Sequence, residues 1–327
     1  QSTMNHFLYC LQRDHPGAFA GKVLFFVGSA EVDTAPSGLS MGAMSGFNFR
    51  NMPPLLRRFY AAPYESFAIT DADARAYAIA LFALRHEVSF AVGVTTQPFA
   101  QLGRSMQQHA DALLRDLAEG TFTPSGPVTD RERRSITEQL RPDPKRARVL
   151  RERASRAGEL TPRTAWPQLD TISCWFHAGG GAFGHELPAL YGDVHRRTAV
   201  YSATEGWFNV PIHDGRDDGV LALGPNLYEF IPLDRAGQRS GDPVLAHEVE
   251  PGRAYVLVVS SGAGLWRYVT GDVVEPTGRV GQAPTLQFVR KEGQVLSLGH
   301  DLTTETHVRT AIDSLRREGI TIDRFCF

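Results

Sequence analysis

The sequence predicts an α/β protein in which mostly parallel sheets are flanked by helices. An antiparallel β region follows, and then the start of a small α+β unit. Three observations carry this expectation. In the first half, "KVLFFVGS" (22–29) and "VSFAVGV" (88–94) are continuous apolar runs of strand length, separated by helical segments. Strands buried on both faces of a parallel sheet read this way. From Gly206 onward the apolar segments are short and punctuated by Asp-Gly and Gly-Pro-Asn turns, the pattern of antiparallel hairpins. After residue 289 a strand, a turn, a strand and a helix open a further unit.

Taken in order, "NHFLYCLQRD" is helical in composition and stops before His15-Pro16-Gly17. The strand at 22–29 leads into the Gly/Ser/Met loop "SGLSMGAMSGFNFR". "MPPLLRRFY" is a short helix with prolines near its start. "DADARAYAIALFALRHE" repeats apolar residues at helical spacing after an Asp-rich start. "PFAQLGRSMQQHADALLRDLAEG" predicts one long amphipathic helix ending at Gly120. The stretch 130–158 is densely charged and mostly basic. It reads as a solvated pair of helices around Pro142-Asp143-Pro144. A nucleic-acid patch is the alternative, but no aromatics are interleaved. "TISCWF" is a buried strand, "ELPALYG" a short helix, and "RTAVYSATEG" an apolar stretch running into a polar turn. "AYVLVVSSGAGLWRYVTGDVVEPTG" holds two strands, and "TLQFVRKEGQVLSL" holds two more around a Lys-Glu-Gly turn. "TTETHVRTAIDSLRREGI" is a helix with Thr303 or Thr304 as N-cap, and "TIDRFCF" reads as a further strand. No internal repeat is visible.

Composition narrows the function. At 327 residues the chain suits one large or two moderate domains. Apolar residues are 42% and charged residues 21%, ordinary globular shares. A formal net charge of -2 argues against nucleic acid or an anionic membrane as partner. Three cysteines, Cys10, Cys174 and Cys326, argue for a reducing compartment, the cytoplasm, over a disulfide framework. No apolar run reaches the roughly 18 residues of a membrane span. The N-terminus has no signal-peptide features and reads as the middle of a helix-bearing chain, so upstream residues are expected.

Three stretches bear chemistry. "HAGGGAFG" (177–184), with Gly179, Gly180 and Gly181, is either a flexible turn or a close-approach loop for a flat or anionic ligand. It lacks the Gly-Lys-Ser/Thr of a phosphate-binding P-loop. Cys174 and His177 form a lone C-x-x-H, short of the roughly four ligands that zinc needs. "YSATEG" (201–206) is either a solvated turn or a seat for metal and phosphate. Ser202, Thr204 and Glu205 supply the oxygens that Mg²⁺ prefers, and Tyr201 supplies a ring for stacking. "RYVTGD" (267–272) ends on Asp272, which either closes a Gly turn or accepts from the vicinal hydroxyls of a ribose.

Their order adds to each. "YSATEGWF", "LYEFIPL", "YVLVVSSGAGLWRYVTGDVV" and "FVRKEGQVLSL" together resemble the auxin-responsive Gretchen Hagen acyl-acid amido synthetases, most closely their bacterial members. That family belongs to the adenylate-forming superfamily with acyl-CoA synthetases and luciferases. The resemblance runs from Lys22 to Ile312. It implies a large adenylating domain over 1–289 and the beginning of a small mobile domain over 290–327.

It also implies a reaction: a carboxylic acid and Mg-ATP give an acyl-adenylate and pyrophosphate. An amino acid amine then takes the acyl group, and AMP leaves. By resemblance, Glu205 holds Mg²⁺, while Thr204 and Ser202 touch the α-phosphate. Tyr201 and Gly179, Gly180 and Gly181 flank the adenine, and Asp272 accepts from the ribose. Arg290 or Lys291 is the hinge. Met44, Ser45 and Phe47, with Phe208 and Val210, line the acyl pocket; core packing is the alternative for Met41, Met44, Phe47 and Phe208. The substrates would be a small carboxylic acid and an amino acid, with no nucleic acid or membrane partner.

The sequence departs from the family in four places. The family's Ser/Thr/Gly-rich phosphate loop lies upstream of Gln1, and the C-terminal domain with its lysine is barely begun. Thr204 replaces the commoner Ser, and Trp266 stands where Tyr is usual. The chain alone is therefore expected to bind nucleotide weakly and turn over poorly. A coenzyme A ligase sharing the adenylation step, or a non-catalytic nucleotide-binding relative, are the alternatives. The sequence does not name the acid, the amine or the oligomeric state.

Overall fold

The computed structural model describes residues 2–327 except 178–180, 225, 294, 299–300, 319 and 321–327. "TIDRFCF" therefore lies outside the described residues. Two compact units divide the chain, Tyr9–Ala199 and a second comprising Gln1–Leu8 with Val200–Phe327. The division falls inside the 1–289 stretch read from the sequence as one large domain.

The chain opens with α1 (Ser2–Asp14). In the Tyr9–Ala199 unit, β1 (Lys22–Phe25) is followed by the small hairpin β2 (Asp33–Thr34) and β3 (Ser40–Met41). Next come α2 (Met44–Arg50), α3 (Pro54–Arg57), α4 (Tyr64–Phe67), α5 (Ala72–Leu84) and β4 (Val88–Thr95). Then follow α6 (Gln97–Gln108), α7 (Ala110–Glu119), α8 (Asp130–Thr137), α9 (Pro144–Ala157) and α10 (Pro162–Ala165). β5 (Thr171–Trp175), α11 (Leu187–Tyr191) and β6 (His195–Thr198) complete it. The sheet order is β1-β4-β5-β6, every pairing parallel, as the apolar runs predict.

α5 is the spine of this core. Asp71 caps it, its carboxylate accepting from the backbone N–H groups of Asp73 and Ala74. Every residue from Ala76 to Leu84 is buried, so the helix is apolar nearly all round. The single long helix expected over 98–120 is interrupted at His109 (φ -116°, ψ 22°), giving α6 and α7. The His109 ring lies edge-on to Tyr77 of α5, and Leu113, Leu114 and Leu117 of α7 enter the core.

The basic stretch forms α8 and α9, as expected. A Thr129/Glu132 capping box starts α8, and Asp143 caps α9 ahead of Pro144. It is not wholly solvated. Arg146 turns inward to Glu87 and to the carbonyls of Leu84 and His86, pinning the chain where it enters β4.

The second unit is antiparallel. The hairpin β7 (Ser202–Ala203) and β8 (Gly206–Trp207) precedes β9 (Asn209–Val210), β10 (Asp218–Leu221), β11 (Asn226–Pro232) and β12 (Val244–Leu245). β13 (Tyr255–Ser261), β14 (Tyr268–Val280) and β15 (Ala283–Lys291) follow. The seven-stranded order is β12-β11-β13-β14-β15-β10-β9. β11 buries alternate residues, Tyr228, Phe230 and Pro232, while the interior strand β13 is buried continuously from Tyr255 to Val259. Beyond it stand the hairpin β16 (Val295–Leu298) and β17 (Asp301–Thr304), then α12 (Glu305–Arg317), which Thr304 immediately precedes.

Candidate active site

In the parallel unit, strand ends and helix starts gather at one edge of the sheet. Open parallel sheets bind ligands at the carboxyl ends of their strands. There a cavity of about 300 Å³ is walled by Phe26, Val27 and Gly28 after β1, and by Val94 and Thr95 ending β4. Ala43 and Ser45 line it from α2 and its approach, with Arg75, Ala76 and Ile79 of α5 and Pro98, Gln101 and Leu102 of α6.

Glycines let α2 come this close. A Cβ on Gly46 would strike the Gly28 carbonyl, and one on Gly28 would meet the Ala43 methyl at 2.6 Å. The approach lets Gly28 N–H donate to Ser45 Oγ (3.2 Å). Of the expected acyl-pocket residues, Ser45 lines this cavity, while Met44 and Phe47 are exposed on α2.

The glycine run follows β5. Gly179 and Gly180 lie outside the described residues. Gly181 folds tightly back, and a Cβ there would strike the Phe176 carbonyl. Phe183 N–H donates to Thr96 Oγ1 (3.0 Å), tying the loop to the end of β4. Cys174 is fully buried, and that burial pushes its thiol pKa up.

In the antiparallel unit, "YSATEG" is a hairpin. Ser202 pairs with Trp207 and Ala203 with Gly206, leaving Thr204 and Glu205 as the two-residue tip. Thr204 Oγ1 donates to Glu205 Oε2 (3.2 Å). Ser202 and Thr204 are exposed and Glu205 is half-buried, so the tip presents oxygen donors only. That donor set suits a hard cation that also takes phosphate oxygens, and a single carboxylate is too little for an all-protein cage.

Tyr201 sits differently. It is only 4% exposed, its ring against Phe208 (4.8 Å) and Phe288 (5.6 Å). Its hydroxyl donates to Asp272 Oδ2 (2.5 Å). Burial, then the Asp272 charge, pushes the phenol pKa far up, so Tyr201 stays a neutral donor.

Asp272 is 2% exposed. Its other oxygen, Oδ1, is ion-paired with the ammonium of Lys291 at the end of β15. The preceding Gly271 (φ 71°) lies in an irregularity of the β13–β14 pairing, where Val256 opposes Val273 but Val258 opposes Val269. The Asp272 N–H donates to Thr270 Oγ1, whose hydroxyl donates to the Leu257 carbonyl. The two hinge candidates thus sit beside Asp272, Lys291 on its carboxylate and Arg290 opposite Val273. Phe208 is fully buried and Val210 nearly so.

Sequence reasoning missed Asn209. Buried at 2% exposure, it accepts from Tyr201 N–H (2.9 Å) and donates to the Leu286 carbonyl (2.9 Å). The signal was a lone amide in the apolar run "WFNV". It also missed Lys291 as the partner of Asp272, and Arg75, the one cation in the apolar helix α5.

Known proteins bear on this arrangement. The GH3 family N-terminal domain matches residues 2–195, and the GH3 family central domain matches residues 219–291. Indole-3-acetic acid-amido synthetase GH3.8 of Oryza sativa subsp. indica is 30% identical over 322 residues, 91% of this chain and 52% of that protein. Jasmonoyl--L-amino acid synthetase JAR6 of Nicotiana attenuata is 29% identical over 221 residues, 64% of this chain and 38% of its own. The solved structure of GH3.15 acyl acid amido synthetase superposes with a TM-score of 0.78 at 19% identity, covering 96% of this chain and 56% of that one, which shows a common fold. The chain spans about half the length of the curated relatives it matches. With its N-terminal and central domains both accounted for, the chain belongs to the GH3 family.

Proposed function

We propose that this chain is the adenylating part of an acyl-acid amido synthetase that uses Mg-ATP to join a small carboxylic acid to an amino acid. One observation carries the reading. The Tyr201–Asp272 hydrogen bond joins two motifs 71 residues apart, "YSATEG" and "RYVTGD", into one polar cluster. Chance turn residues have no reason to meet in this way.

A carboxylate is a poor acyl donor, because oxide would have to leave. In the reaction proposed, a carboxylate oxygen attacks the α-phosphorus of ATP and pyrophosphate departs. The amine then attacks the acyl carbon, the bond from that carbon to the phosphate oxygen breaks, AMP leaves with the electron pair, and the nitrogen gives up a proton. Asp272 would accept from the ribose hydroxyls, with Tyr201 fixing its orientation. Its burial means that Lys291 gives way as the ribose arrives. Ser202 and Thr204 would donate to the α-phosphate, where charge grows in the transition state. Mg²⁺ bound at Glu205 would supply further positive charge there. The cavity beside Ser45 would take the acid. Free Cys10 and Cys174 fit a cytoplasmic setting.

The test is product analysis. For the chain extended to the length of its relatives, given a carboxylic acid, ATP and Mg²⁺, an amide is expected with an amino acid and no thioester with coenzyme A. A thioester in its place would make the protein a coenzyme A ligase. Replacing Glu205 with Ala should weaken Mg-ATP binding and stop pyrophosphate release. Unchanged binding and adenylation in that variant would sink the site reading.

A further inference from the structure

Among the described residues, Arg75 is a cation without an acid. It is half-buried on the first turns of α5, between Ala74 and Ala76, both buried. Among the described residues it pairs with no carboxylate. Its Nη1 donates to the Ile69 carbonyl (2.8 Å) and, at 3.4 Å, to that of Thr70. Those two bonds fix the plane of the guanidinium, and the described residues offer nothing to Nε and Nη2. This is the edge whose two parallel N–H groups match a carboxylate. Arg75 is also part of the wall of the 300 Å³ cavity, together with Phe26, Ile79, Val94 and Leu102. Pockets for small ligands start at about that size and carry a few placed polar groups on an apolar lining.

We propose that Arg75 selects the acid, and that the preferred substrate is a compact dicarboxylic acid with an apolar middle. This rests on the cavity being the acid's seat in the reaction above. The second carboxylate follows from the chemistry. The carboxylate that attacks phosphorus must keep its lone pairs available, and one chelated in a guanidinium fork is a weaker nucleophile. The fork is therefore matched to a carboxylate that does not react. The apolar walls take the carbon frame between the two. Gln101, held through its Nε2 on the Ala72 carbonyl (3.0 Å), presents a neutral polar group in the same wall. An acid lacking the second carboxylate would leave the Arg75 fork without its matched anion, which disfavours it relative to a diacid.

The test is calorimetric titration of the chain with benzene-1,3-dicarboxylate, benzene-1,4-dicarboxylate and hexanedioate, each beside its monomethyl ester. At least one diacid is expected to bind about tenfold or more tightly than its own monoester, the order of a charge-assisted pair. Arg75→Gln should abolish that preference with the circular dichroism unchanged. Arg75→Lys, which keeps the charge and loses the fork, should retain part of it. Equal binding of diacids and monoesters, no binding of any of them, or a preference that survives Arg75→Gln would overturn the proposal. Should Arg75→Gln fail to fold, the wild-type ratio and Arg75→Lys decide. Diacid preference in this chain, with no pyrophosphate release from Mg-ATP by a version extended to the length of its relatives, would uphold the selector and reject the reaction.

Discussion

Asn209 shows how much one buried amide can hold. It ties the backbone at Tyr201 to that at Leu286, so the start of the "YSATEG" hairpin is fixed to β15. Asn209→Ala strands a buried N–H and a buried carbonyl, at about 1–3 kcal/mol each. A loss of about 2–6 kcal/mol is expected in urea unfolding, and a change within about 0.5 kcal/mol of zero, that of a neutral surface substitution, would contradict it. Tyr201→Phe keeps the ring between Phe208 and Phe288 and removes only the bond to Asp272. AMP affinity should then fall about tenfold, with near-native melting; an unchanged titration would detach Tyr201 from nucleotide binding. The residue types here were legible and their surroundings were not. The sequence shows an aromatic beside hydroxyls and a carboxylate. Whether the ring is open or buried depends on Phe288, which lies 87 positions further on and packs against it.

At the scale of elements, continuous apolar runs report directly on parallel strands, because burial on both faces leaves no polar alternation. Turn residues likewise reported the antiparallel hairpins. The break at His109 left no such trace: both halves are good helix formers, and packing against Tyr77 accompanies the interruption. The β13–β14 irregularity was half legible, since "VTGD" shows a glycine but not the extra residues around it. Gly271 has open space where a Cβ would go, so the cost of replacing it is backbone conformation alone. Gly271→Ala, at φ 71°, should cost about 1–2 kcal/mol. It should also weaken AMP binding by re-aiming Asp272. Gly271→Asn, a residue that tolerates this region, should recover part of both. Equal stability of the Ala and Asn variants would show that the strain is absent. The cavity was the least legible feature, because the approach of α2 to the loop after β1 depends on contacts between Gly28, Ala43 and Gly46.

For the whole molecule, a net charge of -2 hides strong local imbalance, and acid stability is where that shows. The His86 pKa is pulled down to about 4, first by burial and then by Lys22, Arg85 and Arg146. In the unfolded chain it titrates near its ordinary 6.5. The unfolded state therefore binds the proton first. The stability that neutral His86 allows is whole above 6.5 and is lost as the pH falls towards about 4. The Asp14 carboxyl pKa is held down to about 2, chiefly by its hydrogen bond from Arg13 and also by Arg197, against an ordinary 3.8. Its contribution is present above 3.8 and lost as the pH falls through about 2. Two acid windows are thus expected in the pH profile of unfolding. His86→Gln should flatten the upper window relative to wild type, leaving the backbone carbonyl that binds Arg146 and Trp166 in place. Asp14→Asn should lower stability at neutral pH and flatten the lower window. Urea midpoints from pH 7.5 to 2.5 for the three proteins separate the two effects. Curves that stay parallel throughout would show that neither group couples folding to protons.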